Sequence, residues 1–95
     1  MNDKPPLTID SVVQIPRLFR LQWEQVQNAY VLLYPEGLIK LNQTAGEILK
    51  RVNGESSIAD IVKDLERAFP GAELRDDVLQ FMEIAYGKGW IRPKQ

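Results

Sequence analysis

The segment Tyr34-Pro35-Glu36-Gly37 is the sharpest punctuation in this chain. Pro35 presets φ for the first central position of a turn, and Gly37 can take the positive φ that lets the backbone re-enter a strand. The runs on either side, Ala29–Tyr34 and Leu38–Leu41, are β-branched and aromatic enough to pair. Asn42 stops the second run and can cap a helix, because its side chain accepts from the unpaired N–H groups of a first helical turn. The stretch therefore predicts strand, turn, strand and helix cap in immediate succession. It leaves open which side of Leu38–Leu41 is paired and which is bare.

The rest of the composition narrows the chemistry. The chain has 95 residues, enough for one modest core, and its apolar fraction of 44% is ordinary for a globular domain. A net charge of −1 advertises no polyanionic partner. There is no cysteine and no histidine. Disulfides, thiolate metal sites, a cysteine nucleophile and the commonest general base near neutral pH are thereby excluded. The N-terminus, Met1-Asn2-Asp3-Lys4-Pro5-Pro6, lacks the apolar core of a signal peptide, and the longest apolar run, Ala29–Tyr34, is too short to cross a bilayer. A cytoplasmic protein with no membrane partner is expected.

Residues 1–16 form an N-terminal arm that begins polar and proline-rich and turns apolar from Leu7 to Ile15. It reads either as loosely ordered and docked, or as exchanged with the edge of a second copy in a homodimer. Residues 17–95 form the domain proper. Polar residues at Arg20, Gln22 and Glu24 alternate with Phe19, Leu21 and Trp23, the pattern of a half-buried strand. Gln25–Asn28 is the turn that follows, and the near-continuous apolar run Ala29–Tyr34 takes the central position of a three-stranded meander. Leu38–Leu41 then lies at an edge, either bare or covered by a helix or the arm.

Three helices follow. Ala45, Ile48, Leu49 and Val52 make one apolar stripe, started by Asn42 or by a Thr44/Glu47 capping box and ended by Asn53-Gly54. Gly46 inside it costs about 1 kcal/mol relative to alanine, which a close backbone approach would explain. In the second helix Ser56 or Ser57 is the cap, with Asp60 three residues after Ser57. Ile58, Ile61, Val62, Leu65 and Phe69 form its buried stripe, and Pro70-Gly71 stops it. The third runs from Leu74 to Gly87, with Asp76 and Asp77 at the positive end of its dipole. Leu74, Val78, Phe81, Met82 and Ala85 make its main stripe, and Leu79 and Tyr86 flank it. Strands followed by helices imply an α+β layer arrangement.

No catalytic constellation emerges. Ser56 and Ser57 are explained as caps, and Asp76 and Asp77 point about 100° apart on a helix. A winged helix-turn-helix that binds nucleic acid is the first rival to a peptide-binding domain. Such a domain needs a basic face, whereas Lys63 and Arg67 are matched by Asp60, Asp64 and Glu66, and Arg75 and Lys88 by Glu73, Asp76, Asp77 and Glu83. An edge strand that accepts an extended peptide remains, with Leu38–Leu41 protected by one charge, Lys40.

Leu32-Leu33-Tyr34-Pro35-Glu36-Gly37, then Lys40-Leu41-Asn42, Ala45, Glu47-Ile48-Leu49 and Gly54, resemble the signature of the pyrroloquinoline quinone biosynthesis protein D (PqqD) family. Leu21-Gln22-Trp23-Glu24, Phe69-Pro70, Asp77-Val78, Phe81 and Gly89-Trp90 fit the same pattern, over roughly residues 17–92. The arm matches less clearly, and Val52 stands where many members carry cysteine. The resemblance implies a winged helix-turn-helix-like α+β fold, a three-stranded antiparallel sheet followed by three helices. It further implies a non-catalytic peptide chaperone in pyrroloquinoline quinone (PQQ) biosynthesis. Such a protein binds the ribosomally made precursor PqqA as a RiPP recognition element and presents it to the radical S-adenosylmethionine enzyme PqqE, holding no cofactor itself. Carried over, the peptide-binding strand is Leu38, Ile39, Lys40 and Leu41. Facing geometry would supply a helix wall from Val78, Leu79, Met82 and Tyr86.

Overall fold

The computed structural model describes residues 5–94. The strands are β1 (Val13–Gln14), β2 (Arg20–Glu24), β3 (Ala29–Tyr34), β4 (Gly37–Lys40) and β5 (Arg92–Pro93). The helices α1 (Gln43–Leu49), α2 (Ile58–Ala68) and α3 (Arg75–Gly87) lie in the chain between β4 and β5. β2, β3 and β4 form an antiparallel meander with β3 at its centre, while β1 pairs with β5 in a separate two-stranded ribbon. The α+β order expected from the sequence is the order observed.

Local chemistry accounts for most of the boundaries. The β3–β4 hairpin places Tyr34 opposite Gly37 and Leu32 opposite Ile39, around Pro35-Glu36. Of the two possible starts for α1, Asn42 is used: its side-chain oxygen accepts from the Ala45 N–H at 2.8 Å. In α2, Ser57 and Asp60 form a reciprocal capping box, a device that stabilises a helix start by about 1 kcal/mol. α3 begins at Leu74 without a side-chain cap, and Asp76 and Asp77 occupy its first turn.

Two expectations are corrected. Helix α1 stops at Leu49, short of Asn53-Gly54. The Arg51 and Val52 N–H groups bond three residues back, to Ile48 and Leu49, which tightens the last turn and ends the helix early. Asn53 instead accepts from the N–H groups of Glu55 and Ser56 in the loop, with Gly54 at φ +77°. Phe69, assigned to the buried stripe of α2, is 41% exposed. It sits one residue beyond the helix at φ −126°, ψ 76°, and that turn of the backbone takes its ring out of register with Leu65.

The helices bury their stripes in one cluster. Ile48 and Leu49 from α1, Ile58, Ile61 and Leu65 from α2, and Val78, Met82 and Ala85 from α3 meet there. Full burial of side chains of this size contributes about 1.5–3 kcal/mol each. The sheet offers Leu21, Tyr30 and Ile39 to the same cluster. Gly46 permits this docking: a Cβ there would lie 2.9 Å from Tyr30 Cδ2 and 3.2 Å from its Cβ. The close neighbour is thus an aromatic side chain on β3. Trp23 packs edge-on against the same ring, with centroids 5.0 Å apart.

Residues 7–15 run against the same chain. Leu7 and Val13 are buried in the core cluster. The carbonyls of Ile9 and Ser11 accept from Ala59 and Ile58 N–H groups at the start of α2, and Lys94 N–H bonds to the Val12 carbonyl.

Candidate functional site

The outer edge of β4 has no partner strand among the described residues. Its polarity follows from one hydrogen bond. Leu41 N–H donates to the Tyr30 carbonyl at 3.0 Å, and antiparallel pairs alternate between bonded and non-bonded along a ladder. Gly37, Ile39 and Leu41 therefore point their backbone groups at β3. Leu38 and Lys40 point theirs outward. The bare edge consists of two N–H and C=O sets, separated by the spacing that an added strand requires.

Side chains alternate in the same register. Leu38 lies opposite Leu33 and Lys40 opposite Val31, on the sheet face turned away from the helices. Leu38 is half exposed and Lys40 is exposed. Ile39 lies opposite Leu32 and packs, partly buried, against the core cluster.

The eight residues singled out from the sequence divide into three groups. Leu41, Val78 and Met82 are buried, at 4% exposure or less, and belong to the core itself. They offer almost no surface. Ile39, Leu79 and Tyr86 are partly buried against that core and keep accessible surface. Leu38 and Lys40 stand on the opposite face of the sheet, with their backbone groups directed outward. Tyr86 also meets the arm: its hydroxyl donates to the Pro5 carbonyl at 2.9 Å. No sequence signal pointed to that contact, because it joins residues 81 positions apart.

The ion pairs of the described residues join α1, α2 and the turn after α1, and no β4 residue takes part. Arg51 donates through Nε to Asp64 at 2.6 Å and through a terminal nitrogen to Glu47 at 2.9 Å, tying the end of α1 to α2. The hydrogen bond from Arg51 holds the Glu47 carboxyl below its ordinary value, against the opposing effect of its own burial. Burial pulls the Arg51 guanidinium down, but its bonds to Glu47 and Asp64 more than compensate and leave it raised. Among the described residues no polar or charged side chain is buried, and no group of three His, Cys, Asp or Glu could hold a metal ion. No helix there is long and apolar enough to cross a membrane.

A meander with a bare third strand, backed by three helices, is the architecture of a known class. The structure superposes on the solution NMR structure of the PqqD truncation of Methylobacterium extorquens PqqCD, described as a functional, stand-alone RiPP recognition element. The TM-score is 0.76 at 26% identity, over 92% of this chain and 95% of that one. The fold is that of a RiPP recognition element.

Sequence relatives agree. A family model described as coenzyme PQQ synthesis protein D (PqqD) matches residues 29–91. The PqqA binding protein of Azotobacter vinelandii is 48% identical over 85 residues, 88% of this chain and 92% of its own. Those of Pseudomonas aeruginosa and Methylococcus capsulatus are 47% and 42% identical, covering 88% and 87% of this chain and 92% and 89% of their own. The chain belongs to the PqqD family.

Proposed function

We propose that this protein is a peptide chaperone of PQQ biosynthesis that binds the precursor PqqA and presents it to the radical S-adenosylmethionine enzyme PqqE. The observation that carries the reading is the outward backbone of Leu38 and Lys40, on an edge strand of a family whose members are named for binding PqqA. PqqA adds there as a strand. Main-chain hydrogen bonds fix its register, and alternate side chains meet Ile39 on one face of the sheet and Leu38 and Lys40 on the other. Leu79 and Tyr86 provide the helix wall, over a floor of Leu41, Val78 and Met82. Holding the peptide beside PqqE raises its effective concentration at the enzyme.

In this reading the chain is non-catalytic, works in the cytoplasm and takes no nucleic acid. Residues 1–16 act as an arm. Its exchange between two copies would make the β1–β5 pairing intermolecular and give a homodimer at high concentration, visible as a dilution-dependent sedimentation coefficient. NMR titration with PqqA tests the main reading. The largest amide shifts should fall on Leu38 and Lys40; a titration that leaves β4 unmoved would sink strand addition.

A further inference from the structure

We infer that Pro5-Pro6 is a strap held against the helix wall of the peptide site, so that the bound peptide and the chain's own N-terminal segment compete for Tyr86. This rests on the peptide-binding reading, which places Tyr86 in that wall. One bond carries the inference: the Tyr86 hydroxyl on α3 donates to the Pro5 carbonyl at 2.9 Å.

The segment is built to let go at one end and to hold at the other. Pro5 and Pro6 are exposed, and so is the bond to Tyr86. Leu7, the next residue, is buried in the core cluster. Behind it Thr8 and Ser11 close a turn: the Thr8 N–H donates to the Ser11 hydroxyl at 2.9 Å, and the Ser11 N–H to the Thr8 carbonyl at 3.0 Å. The Ile9 and Ser11 carbonyls then accept from the first N–H groups of α2. The pivot therefore lies between Pro6 and Leu7. A segment tethered there stays at high effective concentration near Tyr86 after it opens, so it closes again when the peptide leaves. An exposed hydrogen bond makes a small net contribution, which a peptide gaining main-chain bonds on β4 can outweigh.

The two prolines define what kind of competitor the strap is. Neither has a backbone N–H. The segment cannot donate to the outward carbonyls of Leu38 and Lys40, and β4 has no partner strand among the described residues. The strap thus leaves the edge open and opposes only the part of a peptide that reaches α3. A tyrosine hydroxyl has one proton to donate, and here it goes to Pro5. A peptide begins to pair on β4 with the strap closed, and completes its seat by displacing it. Its affinity is then the intrinsic one reduced by the fraction of molecules whose strap is open.

Isothermal titration of PqqA into the whole chain tests this, with wild type, Tyr86→Phe, the Pro5→Gly/Pro6→Gly pair and all three substitutions together. Tyr86→Phe keeps the ring and removes the donor. The glycines keep the Pro5-position carbonyl and give the open segment more freedom. Tyr86→Phe and the glycine pair should each bind PqqA about three- to tenfold more tightly than wild type. The combined variant should be no tighter than the better of the two, because both act by opening one strap. Melting temperatures should barely change, since the contact is exposed. The carbon signals of Pro5 and Pro6 in wild type saturated with PqqA should match those of free Tyr86→Phe. If Tyr86→Phe melts early, the glycine pair and the wild-type proline signals still decide the matter. Equal PqqA affinity in all four proteins overturns the inference and leaves peptide binding standing. So does weaker binding by Tyr86→Phe with the glycine pair neutral, which would give the hydroxyl to the peptide. If none of the four binds PqqA, the peptide-binding reading fails as well.

Discussion

The meander has two outer strands, and they are built differently. β2 is Arg20-Leu21-Gln22-Trp23-Glu24, with a charge at each end and a Gln22 amide that donates to Glu24 at 2.6 Å. β4 is Gly37-Leu38-Ile39-Lys40, shorter and with a single charge. Neither has a partner on its outer side among the described residues. Charged and bulky residues blunt an edge against pairing, so β2, with two charges and an indole, is better guarded than β4, which has Lys40 alone. Their surroundings differ too. Trp23 on β2 leans on Tyr30 and remains 48% exposed, whereas Ile39 on β4 packs into the helical core. A peptide added to β4 would meet Ile39 and the core it packs on; one added to β2 would meet charges and an indole edge. Edge position alone does not make a binding site. The site needs few guards and a packed neighbour.

The sharpest way to break this comparison removes a donor from the β4 edge without touching the fold. Lys40 points its N–H outward, so Lys40→Pro leaves the β3–β4 ladder intact, and proline is tolerated on an edge strand. It deletes one bond to the incoming strand and puts a ring in its path. PqqA affinity should fall more than tenfold, about 1.4 kcal/mol or more, while Lys40→Ala stays within threefold. Isothermal titration with both variants measures this. Equal affinities for Lys40→Pro and wild type would mean the peptide does not pair with β4.

A smaller effect tests the wall. Leu79 is partly buried against the core, so Leu79→Asp should cost some stability but a larger share of PqqA binding, about tenfold. A thermal melt run beside the titration separates the two. A collapse in melting temperature with unchanged peptide affinity for the folded fraction would return Leu79 to a purely structural role.

The local parts of this fold were legible, and the long-range parts were not. Pro35, Gly37, Asn42, Ser57 and Asp60 act on backbone within three residues, so their turn and cap roles could be read directly. The end of α1 could not: Asn53-Gly54 looks like a helix stop, but the Asn53 side chain is occupied by Glu55 and Ser56 N–H groups. Phe69 has helical spacing from Leu65, and spacing cannot show that the helix has already ended. At the candidate site, the alternation of β4 and the stripe of α3 are periodic signals. Periodicity says which residues face inward and is silent on how completely they are covered. For that reason Val78 and Met82 read as wall and are instead buried in the core. The β1–β5 ribbon and the Tyr86 contact with Pro5 join the two ends of the chain, where sequence patterns carry no signal.

Gly46 probes the guarded side of the sheet. Alanine there gains up to about 1 kcal/mol of helix propensity but forces its Cβ against Tyr30, whose ring is also in contact with Trp23. Overpacking of this kind costs about 1–3 kcal/mol, so Gly46→Ala should be destabilising by roughly 1 kcal/mol net. The disturbance falls on Tyr30, Trp23 and β2. Once the folded fraction is corrected for, PqqA affinity should be unchanged; a parallel loss would couple the two edges and undo their separation. Double substitution with Trp23→Ala gives Tyr30 room, and the melting temperature should then recover part of the single-variant loss.

The smallest expected effect concerns pH. The group concerned is Glu47, which belongs to the Arg51 cluster and not to β4. Its folded-state pKa lies below the ordinary 4.5, chiefly because Arg51 bonds to the carboxylate. A depressed carboxyl contributes stability that is fully present above its unfolded value and is lost as pH falls through the folded one. Glu47→Gln should remove that share of the acid limb and cost under about 1 kcal/mol at pH 7, as partly exposed ion pairs do. Denaturant melts of the two proteins should differ at neutral pH and converge as pH falls through the folded-state value of Glu47, while PqqA titrations of both overlap at neutral pH. Divergence in the titrations would mean that the Arg51 cluster reaches the β4 edge, and the charged and bare regions of the domain would then have to be treated as one.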